Sequence, residues 1–233
     1  MITEKTKLIV ITDLHNPSGI KNKKEILDEI LGIINKSKIY LLCDEVYRDF
    51  IFDRGTLFKE NPEKVITTNS LTKVYGLGGL RIGWAFCNKY LADKLSEEVS
   101  PYYAGISDPS LTAALELMKE FKRIEDASKK ISSRNYQIVR GWAEKRKKEK
   151  EDINFIFPEH GIIFFPRLLN VEDTYVMVDR LIKEYKTYVA PGKFFGKDFK
   201  QFVRIGFGNK RQKEIIGGLK NLGSLLDEYK KEQ

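Results

Sequence analysis

Long hydrophobic runs are missing from this 233-residue sequence. None approaches the roughly 20 apolar residues that a membrane-spanning helix requires. The N-terminal stretch Met1-Ile-Thr-Glu-Lys-Thr-Lys-Leu-Ile-Val-Ile-Thr12 lacks the small-residue cleavage site of a signal peptide, so its short apolar part is expected as a strand. Cysteine and histidine are scarce, two of each. Cys43 and Cys87 both lie in apolar, strand-like stretches and are expected as buried, reduced thiols, which points to a cytoplasmic protein. His15 and His160 stand far apart and make no metal site with those cysteines; both are expected to be structural. Low-complexity linkers and internal repeats are also lacking. With 42% hydrophobic residues, the chain has enough apolar content to bury the core of one large or two small domains, and wholesale disorder is excluded.

Charge of one sign is in excess, at +8, which raises the question of a polyanionic partner. The excess is spread along the chain, however. Its densest run, Glu144-Lys-Arg-Lys-Lys-Glu-Lys-Glu-Asp152, mixes both signs where a helix should end, and reads as a solvated helix terminus. No nucleic-acid partner is expected. The richness in Lys and Glu also suits a heat-adapted surface.

The first half alternates apolar runs with helical spacing. Strands are expected at 7–12, 39–43, 65–68 and 82–86, with a helix over 23–34 that aligns Ile26, Leu27, Ile30, Leu31 and Ile34. Such strands, joined by crossovers, indicate a mostly parallel α/β sheet covered on both faces. Ligands of such sheets sit beyond the C-terminal ends of the strands, where Asn16, Asp44, Tyr47, Ser70 and Lys73 fall. From Ser107 the rhythm changes. Ser107 or Asp108 caps a helix with Pro109 in its first turn, and helical spacing runs to about 148 with a possible break over 120–126. Strands at 154–157 and 162–168, a helix over 172–185, strands at 188–190 and 202–206 and a helix over 211–230 then make a smaller α+β domain. The expected division is 1–106 and 107–233.

Four segments carry chemistry. Asn16-Pro-Ser-Gly19 follows a buried strand; alone it is a plain turn. Asp44-Glu-Val-Tyr47 puts an acid at a strand end, where it needs a cation or hydrogen-bond donors; alone it could be a helix cap or a magnesium ligand. Ser70-Leu-Thr-Lys73 precedes Gly76, Gly78, Gly79, Arg81 and Gly83, a set able to bind a phosphate. It departs from the nucleotide P-loop, whose glycines precede the lysine. Arg204, within Phe202-Val-Arg-Ile-Gly206, is either a solvent-facing edge residue or a fork for a carboxylate.

Taken in this order, the four segments resemble fold-type I pyridoxal-phosphate enzymes of aminotransferase class I/II, the aspartate aminotransferase-like group. Ser70-Leu-Thr-Lys-Val-Tyr-Gly-Leu-Gly-Gly-Leu-Arg-Ile-Gly83 is similar to that family's lysine signature, and Val189-Ala-Pro-Gly-Lys-Phe-Phe-Gly196 to its C-terminal domain. The resemblance implies pyridoxal 5'-phosphate as cofactor, with Lys73 holding it covalently and moving the substrate's α-proton. Asp44 would keep the pyridine nitrogen protonated. Asn16 and Tyr47 would bond the phenolic oxygen, Ser70 and Arg81 the phosphate, and Arg204 the substrate carboxylate. The implied reaction is amino-group transfer between an amino acid and a 2-oxo acid. A β-lyase, a ligand sensor and an inactive fragment are the alternatives.

The family's members carry a long stretch ahead of the Asn16 strand, supplying further strands, part of the phosphate site and an aromatic that stacks on the cofactor. The chain thus resembles the C-terminal part of such an enzyme: a partial large domain, a long helix and a small domain. Its first and fourth strands are expected to be open edges, met by a complementing N-terminal chain or by self-association. The family is usually dimeric, and Tyr102-Tyr-Ala-Gly-Ile-Ser107 is where partner contacts would be expected, or else an aromatic linker.

Overall fold

Alternation with a period of two organises the first half of the chain. In a computed structural model that describes residues 2–51, 55–103, 105–208 and 210–232, Tyr40–Asp44 (β2) and Val65–Ser70 (β3) bury every second side chain. They lie between Leu8–Thr12 (β1) and Gly83–Phe86 (β4) in a sheet ordered β1-β2-β3-β4. β1 runs parallel to β2 and β2 to β3, whereas β4 runs antiparallel to β3. The helix Lys24–Asn35 (α1) makes the crossover that a parallel β1-β2 pair requires. Leu27 and Ile34 of α1 are buried with Leu41, Cys43, Leu57 and Val65, and Ile9, Ile11, Ile30 and Leu31 pack against them.

Coverage of the sheet on both faces does not hold. Leu8 and Val10 are 44% and 61% exposed, because α1 covers only the face that carries Ile9, Ile11, Leu41 and Cys43. Ile26 is correspondingly exposed, off the packed face of α1. Cys43 is buried as expected, but Cys87, just beyond the outer strand β4, is only half-buried. Lys89–Val99 (α2) is a helix the apolar pattern did not announce: Asn88 caps it by accepting from the Leu91 N–H, and none of its residues is buried.

Asp108–Met118 (α3) begins after Ser107 with proline in its first turn. The Ser107 hydroxyl bonds Ser110 Oγ at 2.9 Å instead of capping the backbone. The expected break falls at 119–120, and Phe121–Glu149 (α4) follows. Of the segment 102–107, Ala104 lies outside the described residues; Tyr102 and Tyr103 are exposed.

The chain divides into two compact units, 1–15 with 21–128, and 16–20 with 129–233. The second holds Ile153–Asn154 (β5), Ile163–Phe164 (β6), Arg167–Leu168 (β7), Thr174–Tyr185 (α5), Ala190–Pro191 (β8), Val203–Gly206 (β9) and Gln212–Lys231 (α6). The run expected as one strand over 162–168 is thus two short ones, which pair with different partners: β5 with β7, and β6-β9-β8 in a three-stranded sheet. Phe164, Leu168, Met177, Leu181, Phe207, Leu222, Leu225 and Leu226 fill the core.

The charged run at the end of α4 is not wholly solvated. Arg146 and Asp152 are 7% and 1% exposed and paired. Arg146 also donates to Gly223 O at 3.1 Å and Asp227 Oδ1 at 3.0 Å. Removing one partner of such a buried pair costs about 3–5 kcal/mol, because the other charge is left without compensation. No helix among the described residues is long and apolar enough to cross a membrane.

Candidate active site

In the first unit the polar side chains gather where β2 and β3 end. Asp44, the last residue of β2, is half-buried and accepts from Thr68 Oγ1 at 3.1 Å and from the Val46 N–H at 3.2 Å. Thr68 is its register partner on β3. The acid that needed donors therefore finds them on the neighbouring strand and in its own turn. Tyr47, three residues on, is 5% exposed, and the Lys73 ammonium lies over its ring, 5.7 Å from the centroid. Lys73 itself is exposed.

Ser70 closes β3. Its hydroxyl accepts from the Thr72 N–H at 3.3 Å. The Lys73 turn is closed by the Leu77 N–H on Leu71 O at 2.8 Å, with Leu71 and Val74 buried as its apolar anchors. A side chain at Gly83 would bring its Cβ to 3.0 Å from Asn69 O and 3.3 Å from Ser70 Cβ; glycine there lets β4 start hard against Ser70. Arg81, in a left-handed conformation at φ 57°, is exposed and donates to Gly78 O at 3.4 Å. A non-glycine residue pays roughly 1 kcal/mol for that backbone.

Below this group lies a network that no spacing announced. Glu45, 4% exposed, accepts from the Leu57 N–H at 2.7 Å and lies 3.8 Å from Arg48 Nε. Burial pushes its carboxyl above the usual range, against the lowering effect of the Leu57, Thr56 and Arg48 contacts. Asp49 accepts from Arg48 Nη2 at 2.5 Å, Asn69 Nδ2 at 3.2 Å and the Tyr75 hydroxyl at 3.3 Å. The signal was present only as residue types: an acid two past Tyr47 and a tyrosine two past Lys73.

In the second unit, Arg204 donates through Nη1 to Asn16 Oδ1 at 2.8 Å, and its guanidinium lies 4.8 Å from the centre of the Phe195 ring. β9 is the central strand of its sheet, so Arg204 is not on an edge strand. Gly19, at φ 73°, holds the Asn16 loop against β6: a Cβ there would be 2.7 Å from Ile163 O. Asn16 and Arg204 are thus one pair; in the first unit Asp44 bonds Thr68, Lys73 lies over Tyr47, and Ser70 and Arg81 stand before and after the Lys73 turn. Asn22 pinches the stem of the loop, donating from Nδ2 to Thr12 O at 2.8 Å and to Asp13 Oδ1 at 3.1 Å.

The family model for aminotransferase class I and II matches residues 1–216. Aspartate aminotransferase of Pyrococcus horikoshii is 25% identical over 92% of the chain, and capreomycidine synthase of Streptomyces vinaceus 28% identical over 94%. The chain spans 55% of the length of each. Among solved structures, a PLP-dependent aminotransferase from Streptococcus suis superposes with a TM-score of 0.88 at 27% identity, covering 98% of this chain and 59% of that one.

Proposed function

Because the chain belongs to the class I and II aminotransferases, we propose that it is the C-terminal part of a pyridoxal-phosphate enzyme that transfers an amino group between an amino acid and a 2-oxo acid. The observation that carries this reading is Lys73 over the Tyr47 ring, on turns at the ends of two adjacent parallel-sheet strands. The donor set suits the cofactor: an amine for its aldehyde, a carboxylate for its ring nitrogen, a phenol for its phenolic oxygen, and a hydroxyl and a guanidinium for its phosphate. The bound cofactor would supply an electron sink for the carbanion formed at the substrate α-carbon.

The chain's own residues do the rest. Lys73 Nζ would take the α-proton and return it as general base and acid. Asp44 is held in place by Thr68 and the Val46 N–H, which suits a carboxylate that would face the cofactor's ring nitrogen. Tyr47 is buried, fit to donate one hydrogen bond. Ser70 and Arg81 offer a hydroxyl and a fork for phosphate oxygens. Arg204, levelled by Phe195 and fixed by Asn16, offers the bidentate face that a substrate carboxylate takes. We also propose the division of roles at 106/107, with cofactor residues ahead of it and the small domain behind.

A second reading has its own support: Lys73 and Arg81 are exposed, and β1 and β4 are edges. It is that the site is complete only with a further N-terminal polypeptide or a second subunit, and that the chain alone binds without turning over.

Addition of pyridoxal phosphate is expected to give a visible absorbance band that Lys73→Ala abolishes. Bleaching of that band by an amino acid and its return with a 2-oxo acid would mark transfer. A stable band without bleaching favours the second reading, and a band of equal intensity in Lys73→Ala rules out the lysine assignment.

A further inference from the structure

Building on the assignment of Lys73 and Tyr47 above, the structure assigns a positioning role to Asp49, which ties the turn that carries Lys73 to the turn that carries Tyr47. Its carboxylate can only accept, and it collects donors from three segments. Arg48 Nη2 comes from its own turn at 2.5 Å, Asn69 Nδ2 from β3 at 3.2 Å, and the Tyr75 hydroxyl from the Lys73 turn at 3.3 Å. Only 13% of the Asp49 side chain is exposed, so water contributes little and the geometry rests on these donors.

Tyr75 is suited to be the permanent donor of the set. Its ring stacks on Phe121 at 4.5 Å between centroids, which fixes the direction of the hydroxyl. Burial first, and then the charge and hydrogen bond of Asp49, hold the phenol far above its ordinary pKa, so it keeps its proton throughout the working range.

Tyr75 follows Lys73 by two positions, and Asp49 follows Tyr47 by two. The Asp49–Tyr75 bond therefore joins the same two turns as the ammonium over the Tyr47 ring. Functional groups need placement to about half an ångström. The backbone bond within the Lys73 turn fixes the shape of that turn without fixing its distance from Tyr47; Asp49 supplies the cross-tie. Asp49 and Tyr75 act through Lys73 and Tyr47.

The test reads the position of the Lys73 amine directly. Lysines are reductively methylated with ¹³C, and the Lys73 signal is assigned by its loss in Lys73→Arg. In the parent chain it carries a ring-current shift from Tyr47, defined by its absence in Tyr47→Leu. Tyr75→Phe, which keeps the stack on Phe121 and loses the hydroxyl, is expected to remove at least half of that shift. Asp49→Ala should do the same, and Asp49→Asn, which keeps an acceptor oxygen, should restore most of it. Borohydride-fixed labelling of Lys73 by pyridoxal phosphate should fall about tenfold in the first two variants. Should Asp49→Ala fail to fold, Tyr75→Phe decides by itself. A signal that stays in place in the folded variants overturns the positioning role. A signal that moves while the parent chain takes no label at Lys73 sustains that role and sinks the cofactor assignment instead.

Discussion

At the scale of single residues, the first unit stores a charge where water is scarce. Glu45 is buried beneath the candidate site with its carboxyl pushed above the ordinary range, burial outweighing the Leu57, Thr56 and Arg48 contacts that oppose it. For an acid whose pKa is higher folded than unfolded, the native state binds more protons between the two values, so stability falls as pH rises through that interval. The loss begins at the ordinary glutamate pKa and is complete above the raised one. Glu45→Gln keeps an oxygen for the Leu57 N–H and removes the charge. The melting midpoint of the variant minus that of the parent should therefore climb with pH across this window and level off above it. A difference that is flat from mildly acid to neutral pH would contradict the assignment.

At the scale of elements, what could be read in the sequence was what a periodic pattern encodes. β2, β3, α1 and α5 came through because alternate or helically spaced side chains share one buried face. α2 did not, because it buries nothing and so leaves no apolar stripe that packing demands. β6 and β7 merged into one expected strand since Pro166 sits in a run of apolar residues that pattern alone cannot divide. The candidate site split the same way. Lys73, Asp44 and Tyr47 stand in short linear motifs, whereas Asp49 meets Tyr75 across 26 positions, a pairing that only the fold creates.

The exposed face of β1 yields a prediction at this scale. Leu8 and Val10 present apolar side chains to solvent on a strand with one unpaired edge, the geometry from which sheets associate. The isolated chain is expected to form higher species in sedimentation velocity. Val10→Lys should shift it toward the monomer, with thermal stability changed by no more than about 0.5 kcal/mol, since the site is exposed. Unaltered association in that variant would place the sticky surface elsewhere.

At the scale of the whole molecule, the chain spans 55% of the length of the Pyrococcus horikoshii aspartate aminotransferase it matches. A polypeptide carrying the remainder of that fold is expected to bind the first unit and to raise the affinity for pyridoxal phosphate at least tenfold, as equilibrium titration with and without it would measure. Equal affinity in the two titrations would mean that the residues present already make the full site.

The loop 16–20 counts with the second unit although the chain on both sides of it counts with the first. Arg204, the partner of Asn16, follows it 188 positions later in the chain. The second unit therefore cannot be completed from 129–233 alone; it has to recover a piece synthesised well before its own stretch. A gene trimmed to encode only 129–233 would lack Asn16 and the Gly19 that lies against Ile163, and with them the partner that holds Arg204 in place.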